Sequence, residues 1–384
     1  MSKQEVPITP AVLRWALAES GLALGEVAQR VGVDPKALEQ WTAGTAKPSV
    51  GQFRKLAACL KRPSATFLLP TPPESSAVSV EFRHPPGSEG RSLNPKERLR
   101  LRETVRVQRG MRWVLEELHE NKAQMPRFTV QTDPNEAAVK IRELLRVTVR
   151  AQLEWKSENQ ALAEWRKAFE QAGLSVFLFA LGKDSARGLS VWDERAPIIA
   201  INTHWNASAR IFTLFHELGH LITRTNSACQ EGTHRHKGKL DPVERWCEEF
   251  AAASLMPWAD VVALLKTKAR WDGKSPIRDL GVAAKIAKKF KVSLRACVLR
   301  LVNKDIAGWD LYRAIPQAAE NKPAGGGGLG RRRARIRFDE YGRRATSVFV
   351  RGMERDVLSR DDVLSYLNIG DSDLTVLVRD IAAP

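Results

Sequence analysis

The sequence is poor in the features that mark secreted or membrane-embedded chains. Among 384 residues there are four cysteines: Cys59, Cys229, Cys247 and Cys297. None belongs to a C-x-x-C pair, so neither a disulfide framework nor a zinc ribbon is expected. A reducing cytoplasm is the compartment that suits such usage. No apolar run approaches the roughly 20 residues needed to span a bilayer, so no membrane partner is expected. The first ten residues, MSKQEVPITP, lack the apolar stretch of a secretory signal. No internal repeat is visible. Acidic residues are scarce beside basic ones, 44 against 61, which leaves a formal net charge of +17. An excess of that size favours an anionic partner. It concentrates in residues 91–112, with eight basic residues against two acidic, and in 331–344, with seven against two.

What is present reads as several segments. Residues 8–69 carry four short helical patterns and a brief fifth. Three of them stop at Gly21, Gly32 and Gly44, and the third opens with an Asp cap followed by Pro. Residues 70–124 form a linker, Pro- and Ser-rich at first, then a basic amphipathic helix near 95–120. Its expected buried stripe is Leu99, Val105, Met111, Val114, Leu115 and Leu118. Residues 125–312 alternate helices with strand-like stretches at "LSVFLFAL", "GLSVWD" and "APIIAIN". Residues 313–384 begin with a Gly-rich linker and end in two short helices near 340–353 and 359–368. The fold class is therefore mainly α with a small β-sheet (α+β).

One stretch stands out chemically: "FTLFHELGHLI", residues 212–222. Ionisable groups inside an apolar helix are costly unless something holds them. Positions i and i+4 share a helix face, so His216 and His220 can aim both imidazoles at one zinc ion. Glu217 faces a slightly different direction and suits a general base. A chance H-E-x-x-H in a chain of this length is roughly a one-in-a-hundred event. Catalytic zinc takes a third protein ligand and keeps an open position. In the next strong helix, "VERWCEEFAAASLMP", Glu244 and Glu248 lie one turn apart. One carboxylate can bind metal while the other orients a histidine. His234 and His236 in "EGTHRHKGK" are rival ligands.

Together, "SARIFTLFHELGHLI", "VERWCEEFAAASLMP" and "IAKKFKVSLRACVLRL" resemble the ImmA/IrrE family of zinc-dependent metallopeptidases, preceded by the family-like strands of "GLSVWDERAPIIAIN". "RGMERDVLSRDDVLSYLNI" resembles its C-terminal extension. The resemblance implies a zincin-like domain, with His216, His220 and Glu244 as metal ligands and Glu217 as catalytic base. Glu248 stands where this family usually has Asn. The front of the chain, "LALGEVAQRVGVDPKALEQWTAGTAKPS", is similar to the Cro/C1-type (XRE) helix-turn-helix. In that fold the start of the third helix enters the major groove. Lys36 and Gln40 would read base edges there, and Arg30 and Lys47 would touch phosphates.

These readings imply a zinc endopeptidase joined to a DNA-binding domain. By resemblance it is a transcriptional regulator whose substrate is a repressor protein, often of helix-turn-helix type. His204, Arg210, His234 and His236 are candidates for stabilising the oxyanion. The alternative is a non-proteolytic regulator or antitoxin that binds DNA and a partner toxin, with a structural or sensory metal site. A homodimer would suit half-site reading.

Overall fold

The computed structural model describes residues 4–73, 93–225, 227–229, 242–316 and 332–382. The described residues up to Val105 form one compact unit, and those from Arg106 onward form a second.

The first unit is built from α1 (Pro10–Ser20), α2 (Leu24–Val31), α3 (Pro35–Ala43) and α4 (Val50–Leu60), followed by a 3-10 turn at Ser64–Leu68. Its punctuation is as the sequence reads. Gly32 takes a left-handed φ of 80° and releases the chain from α2. Asp34 then caps α3 by accepting the Lys36 N–H at 2.8 Å. Ser49 and Gln52 make a reciprocal capping box on α4. Val12, Leu13, Val27, Leu38, Trp41, Leu56 and Phe67 form the core.

The helix α5 (Pro95–Glu117) begins in the first unit and ends in the second. Its fully buried apolar residues are Val107, Met111, Val114 and Leu115. The expected stripe shifts at its ends, because Leu99, Val105 and Leu118 are only half-buried. Gln108 is buried on the same face, where its amide donates to the carbonyls of Val191 and Ala196.

The second unit continues with α6 (Pro134–Leu145), α7 (Val149–Glu154) and α8 (Glu158–Gln171). The strands β1 (Ser175–Phe179), β2 (Gly188–Val191) and β3 (Ile198–Asn202) follow, then α9 (Ala207–Thr223) and β4 (Ser227–Cys229). The sheet order is β1-β3-β2-β4; β1 runs parallel to β3, and β2 is antiparallel to both of its neighbours. Next come α10 (Pro242–Leu255), α11 (Trp258–Ala269), α12 (Leu280–Phe290), α13 (Leu294–Val302) and α14 (Trp309–Arg313). The chain ends with α15 (Arg333–Glu354), α16 (Arg360–Leu367) and α17 (Asp371–Ala382). Among the described residues no single helix is long and apolar enough to cross a membrane.

α9 lies against β2, β3, α8 and α10. Phe215 on α9 is wedged between Trp165 and Phe169 of α8, edge-on, with ring centroids 4.8 and 5.2 Å away. α15 packs on β1, with the fully buried Tyr341 ring edge-on to Phe177 at 5.1 Å. At Gly342 the helical path of α15 is broken by a φ of 78°. The tail holds three helices where the sequence suggests two: the expected 340–353 is the part of α15 after this break, the expected 359–368 is α16, and α17 is additional.

Several arginines of the two basic runs make contacts within the fold. Arg106 donates to the carbonyls of Ser365 and Tyr366, and Arg333 to that of Asn368, all at the C-terminal end of α16. Arg343 donates to the Ile381 carbonyl at the end of α17. Arg100 pairs with Glu103, Arg112 with Glu116 and Asp193, and Arg337 with Glu340. Guanidinium groups suit the orphan carbonyls and negative end of a helix, so these arginines have intramolecular partners, although Arg106, Arg112, Arg333 and Arg343 stay exposed.

One likeness is hidden in the sequence and plain in the fold. α2 and α3 are joined by a left-handed residue, a valine and a capping residue: Gly32, Val33 and Asp34. α12 and α13 are joined in the same way by Lys291, at φ 59°, Val292 and Ser293. In both turns the valine N–H returns to the helix, Val33 to Ala28 O at 3.0 Å and Val292 to Ala287 O at 3.1 Å.

Candidate metal centre and DNA-reading helix

α9 begins where Asn206 caps it, accepting the Ala209 N–H at 2.9 Å. From there Ile211, Leu214, Phe215, Leu218, Leu221 and Ile222 are buried, which fixes the rotation of the helix. That rotation buries His216, Glu217 and His220 as well, at 5, 0 and 2 % exposure. The two imidazoles converge, with Nε2 atoms 3.1 Å apart. α10 supplies Glu244, whose Oε2 is 3.2 Å from His216 Nε2 and whose Oε1 is 3.4 Å from His220 Nε2. One ligand atom from each of the three residues lies within 4.8 Å of the others.

The close approach of the two helices has a specific cause. Gly219 faces α10, and a Cβ there would stand 2.9 Å from Cys247 Sγ and 3.2 Å from its Cα. Cys247 is three residues beyond Glu244, so the missing side chain at 219 is what lets the carboxylate reach the histidines. A second glycine does the same on the sheet side. A Cβ on Gly188 of β2 would meet Thr213 Cγ2 at 2.7 Å and Glu217 Oε1 at 3.1 Å. Glu217 is thereby pressed against β2.

The electrostatics follow from this crowding. Burial is the largest influence on His216 and favours its neutral form, yet its pKa is raised. The hydrogen-bonded Glu244 and the charges of Glu217 and Glu248 outweigh burial. Burial also acts most strongly on Glu244, upward, and is overcome by its hydrogen bonds to both histidines, so its pKa falls far below the usual carboxylate range.

The donor set fits zinc. Ligand atoms about 2.1 Å from a tetrahedral ion lie about 3.4 Å from one another, close to the separations observed here. Two imidazoles and a carboxylate are also the ligand types of many hydrolytic zinc sites. The outer nitrogen of His220 has a hydrogen-bond partner that no sequence motif marks. His220 Nδ1 lies 3.0 Å from Thr225 Oγ1. Glu248, expected to orient a histidine, acts on His216 through its charge. Of the oxyanion candidates, Arg210 sits on α9 two turns before Glu217, with burial lowering its pKa. His204 lies edge-on to Trp205. His234 and His236 fall outside the described residues.

In the first unit, Lys36, Gln40 and Lys47 are exposed, the first two on α3. Arg30 is exposed on α2 and paired with Glu26 at 2.6 Å. A phosphate would have to displace that carboxylate.

Comparison with known families agrees with this division. Residues 13–67 match a family model described as helix-turn-helix. Residues 169–302 match the peptidase M78 model, described as IrrE N-terminal-like domain, which takes in α9 and α10. A comparison with curated proteins returns no match. The chain therefore joins an N-terminal XRE-type helix-turn-helix domain to a metallopeptidase-like domain of the ImmA/IrrE kind.

Proposed function

We propose that this chain is a zinc-dependent endopeptidase coupled to a DNA-binding domain, and that its substrate is a repressor protein. The observation that carries the reading is the convergence of His216, His220 and Glu244, with the buried Glu217 beside them against β2. His216, His220 and Glu244 would hold the ion. Zinc bound there supplies Lewis acidity to a scissile carbonyl and lowers the pKa of a water. Glu217 takes the proton of the attacking water and returns it to the leaving amine. Its burial against β2 would restrict that carboxylate, so little reorganisation would accompany the transfer. Arg210, on the same helix two turns earlier, and His204 would be the described candidates to steady the oxyanion. Lys36 and Gln40 would read bases, and Lys47 and Arg30 would position the domain on phosphates. The reaction would then act at the promoter the domain occupies.

The test pairs two variants. Glu217→Gln is expected to keep zinc and to lose cleavage of a helix-turn-helix repressor by at least 100-fold, the lower range for removing an acid–base group. Glu244→Ala is expected to lose zinc, measured by metal analysis of the purified protein. Full-rate cleavage by Glu217→Gln would end the mechanism. Zinc retained by Glu244→Ala would end the ligand assignment.

A further inference from the structure

We propose that Arg62, Arg98 and Arg102 form an anion site at the C-terminal end of α1 in the first unit, and that its ligand is a phosphate group. Three elements contribute. Arg62 follows α4, and its guanidinium lies 4.3 Å from the centre of the Trp15 ring and 3.8 Å from the Glu19 carboxylate, both on α1. Arg98 and Arg102 stand about one turn apart on the first half of α5, inside the same unit. Arg98 reaches the end of α1, where it donates to the Ala18 carbonyl at 3.4 Å. Gly21 makes room for it, since a Cβ there would stand 2.7 Å from Arg98 Cδ.

The end of α1 accounts for only one of these cations. Its negative pole suits Arg98, whose Nε also donates to the Leu93 carbonyl at 2.9 Å. The other two keep unused donors. Arg62 Nε, Arg102 Nη1 and Trp15 Nε1 are buried and meet no hydrogen-bond partner among the described residues. All three are donors, so a group that satisfies them must accept. The charges point the same way. Burial and the charges of Arg62 and Arg98 bring the Arg102 pKa down to about 10, and Glu19 offsets them only in part. The carboxylates of α5 nearest in sequence are used elsewhere: Glu97 accepts the Asn94 N–H, and Glu103 pairs with Arg100. Like charges one helical turn apart repel, and buried donors without acceptors are unfavourable. A phosphate group relieves both, because its oxygens accept from several N–H groups at once and the planar guanidinium fork matches them.

Two sources of phosphate fit, a nucleic-acid backbone and a free phosphate-bearing molecule, and the experiment separates them. Inorganic phosphate is titrated with the full chain, and its phosphorus-31 line width is followed at an ionic strength held constant with chloride. The native protein should broaden the line. Arg102→Met keeps the apolar stem and removes the charge; it should weaken that binding about 10-fold or more. In chloride alone the same variant should melt no lower than the native protein, because a repelled guanidinium with an unused donor has been removed. If the phosphate belongs to a nucleic-acid backbone, Arg102→Met also lowers the salt slope of duplex binding by about one. If it belongs to a free molecule, the slope stays as it was. An Arg102→Met protein that alters neither phosphate binding nor the slope overturns the site. So does one that melts well below the native protein, since Arg102 would then be satisfied within the fold.

Discussion

At the residue scale the second unit is governed by how completely water is kept from its polar groups. Cys297 is an example away from the candidate metal centre. Burial pushes its thiol up to about 12, so almost no thiolate exists at ordinary pH. Cys247, wedged against Gly219, is fully buried. Alkylation of the native protein at pH 8 should leave both unmodified, and unfolding in urea should expose them; mass spectrometry of the modified peptides checks this. Modification of Cys297 in the native state would contradict the packing of α13. The same dependence on burial explains what the sequence could reveal of the site. His216, Glu217 and His220 lie on one helix, and helical spacing alone brings the two rings together. Glu244 lies on another helix, so the residues alone left it among rivals. Thr225 was invisible, because nothing in "TRT" signals that a left-handed Arg224 folds the second threonine back onto a ring five residues earlier.

Elements meet here at glycines, and the close approaches they permit are testable. Gly219 brings α10 within reach of α9. Gly219→Ala puts a methyl under 3 Å from Cys247 Sγ and should separate the helices. Overpacking of this kind typically costs about 1–3 kcal/mol. The expected result is a lower urea midpoint together with a larger loss of zinc affinity than stability alone accounts for, because Glu244 moves away with α10. The break in α15 is held in a different way. Arg166 on α8 donates to the Asp339 carbonyl on one side of Gly342, while Glu170 accepts the N–H groups of Arg343 and Arg344 on the other. A single ion pair, Arg166 with Glu170 at 3.3 Å, thus serves both ends of the interrupted helix. Glu170→Ala would leave Arg166 buried without its carboxylate. Removing one partner of a buried pair costs about 3–5 kcal/mol, and equilibrium unfolding should show a loss of that order. Sequence periodicity found the part of α15 after the break and missed the part before it, because Arg333, Arg335 and Arg337 look like a solvated basic run. Their carbonyl and carboxylate partners come from α16, α17 and the helix itself, which lie far off in sequence or appear only once the helix is formed.

For the whole molecule the question is where a net charge of +17 acts. Composition suggested that both basic runs would face nucleic acid. The structure engages many of those arginines with helix ends and carboxylates, leaving the helix-turn-helix unit as the supported place for DNA to bind. Salt dependence separates the two roles, because every phosphate that a side chain neutralises adds about one to the slope of log affinity against log salt. Lys47→Ala should reduce that slope by about one and weaken binding to all sequences alike. Gln40→Ala should leave the slope unchanged and reduce discrimination at one base pair, worth about 1–3 kcal/mol. Glu26→Gln should strengthen binding, because Arg30 no longer has to leave a carboxylate at 2.6 Å to reach a phosphate. Arg106→Ala and Arg333→Ala are expected to lower the melting temperature and leave the slope as it was, since their guanidinium groups already hold α16. Fluorescence anisotropy across a salt series, run beside thermal melts of the same proteins, measures both. A slope that falls with Arg333→Ala and not with Lys47→Ala would move the DNA-binding surface from the first unit to the tail.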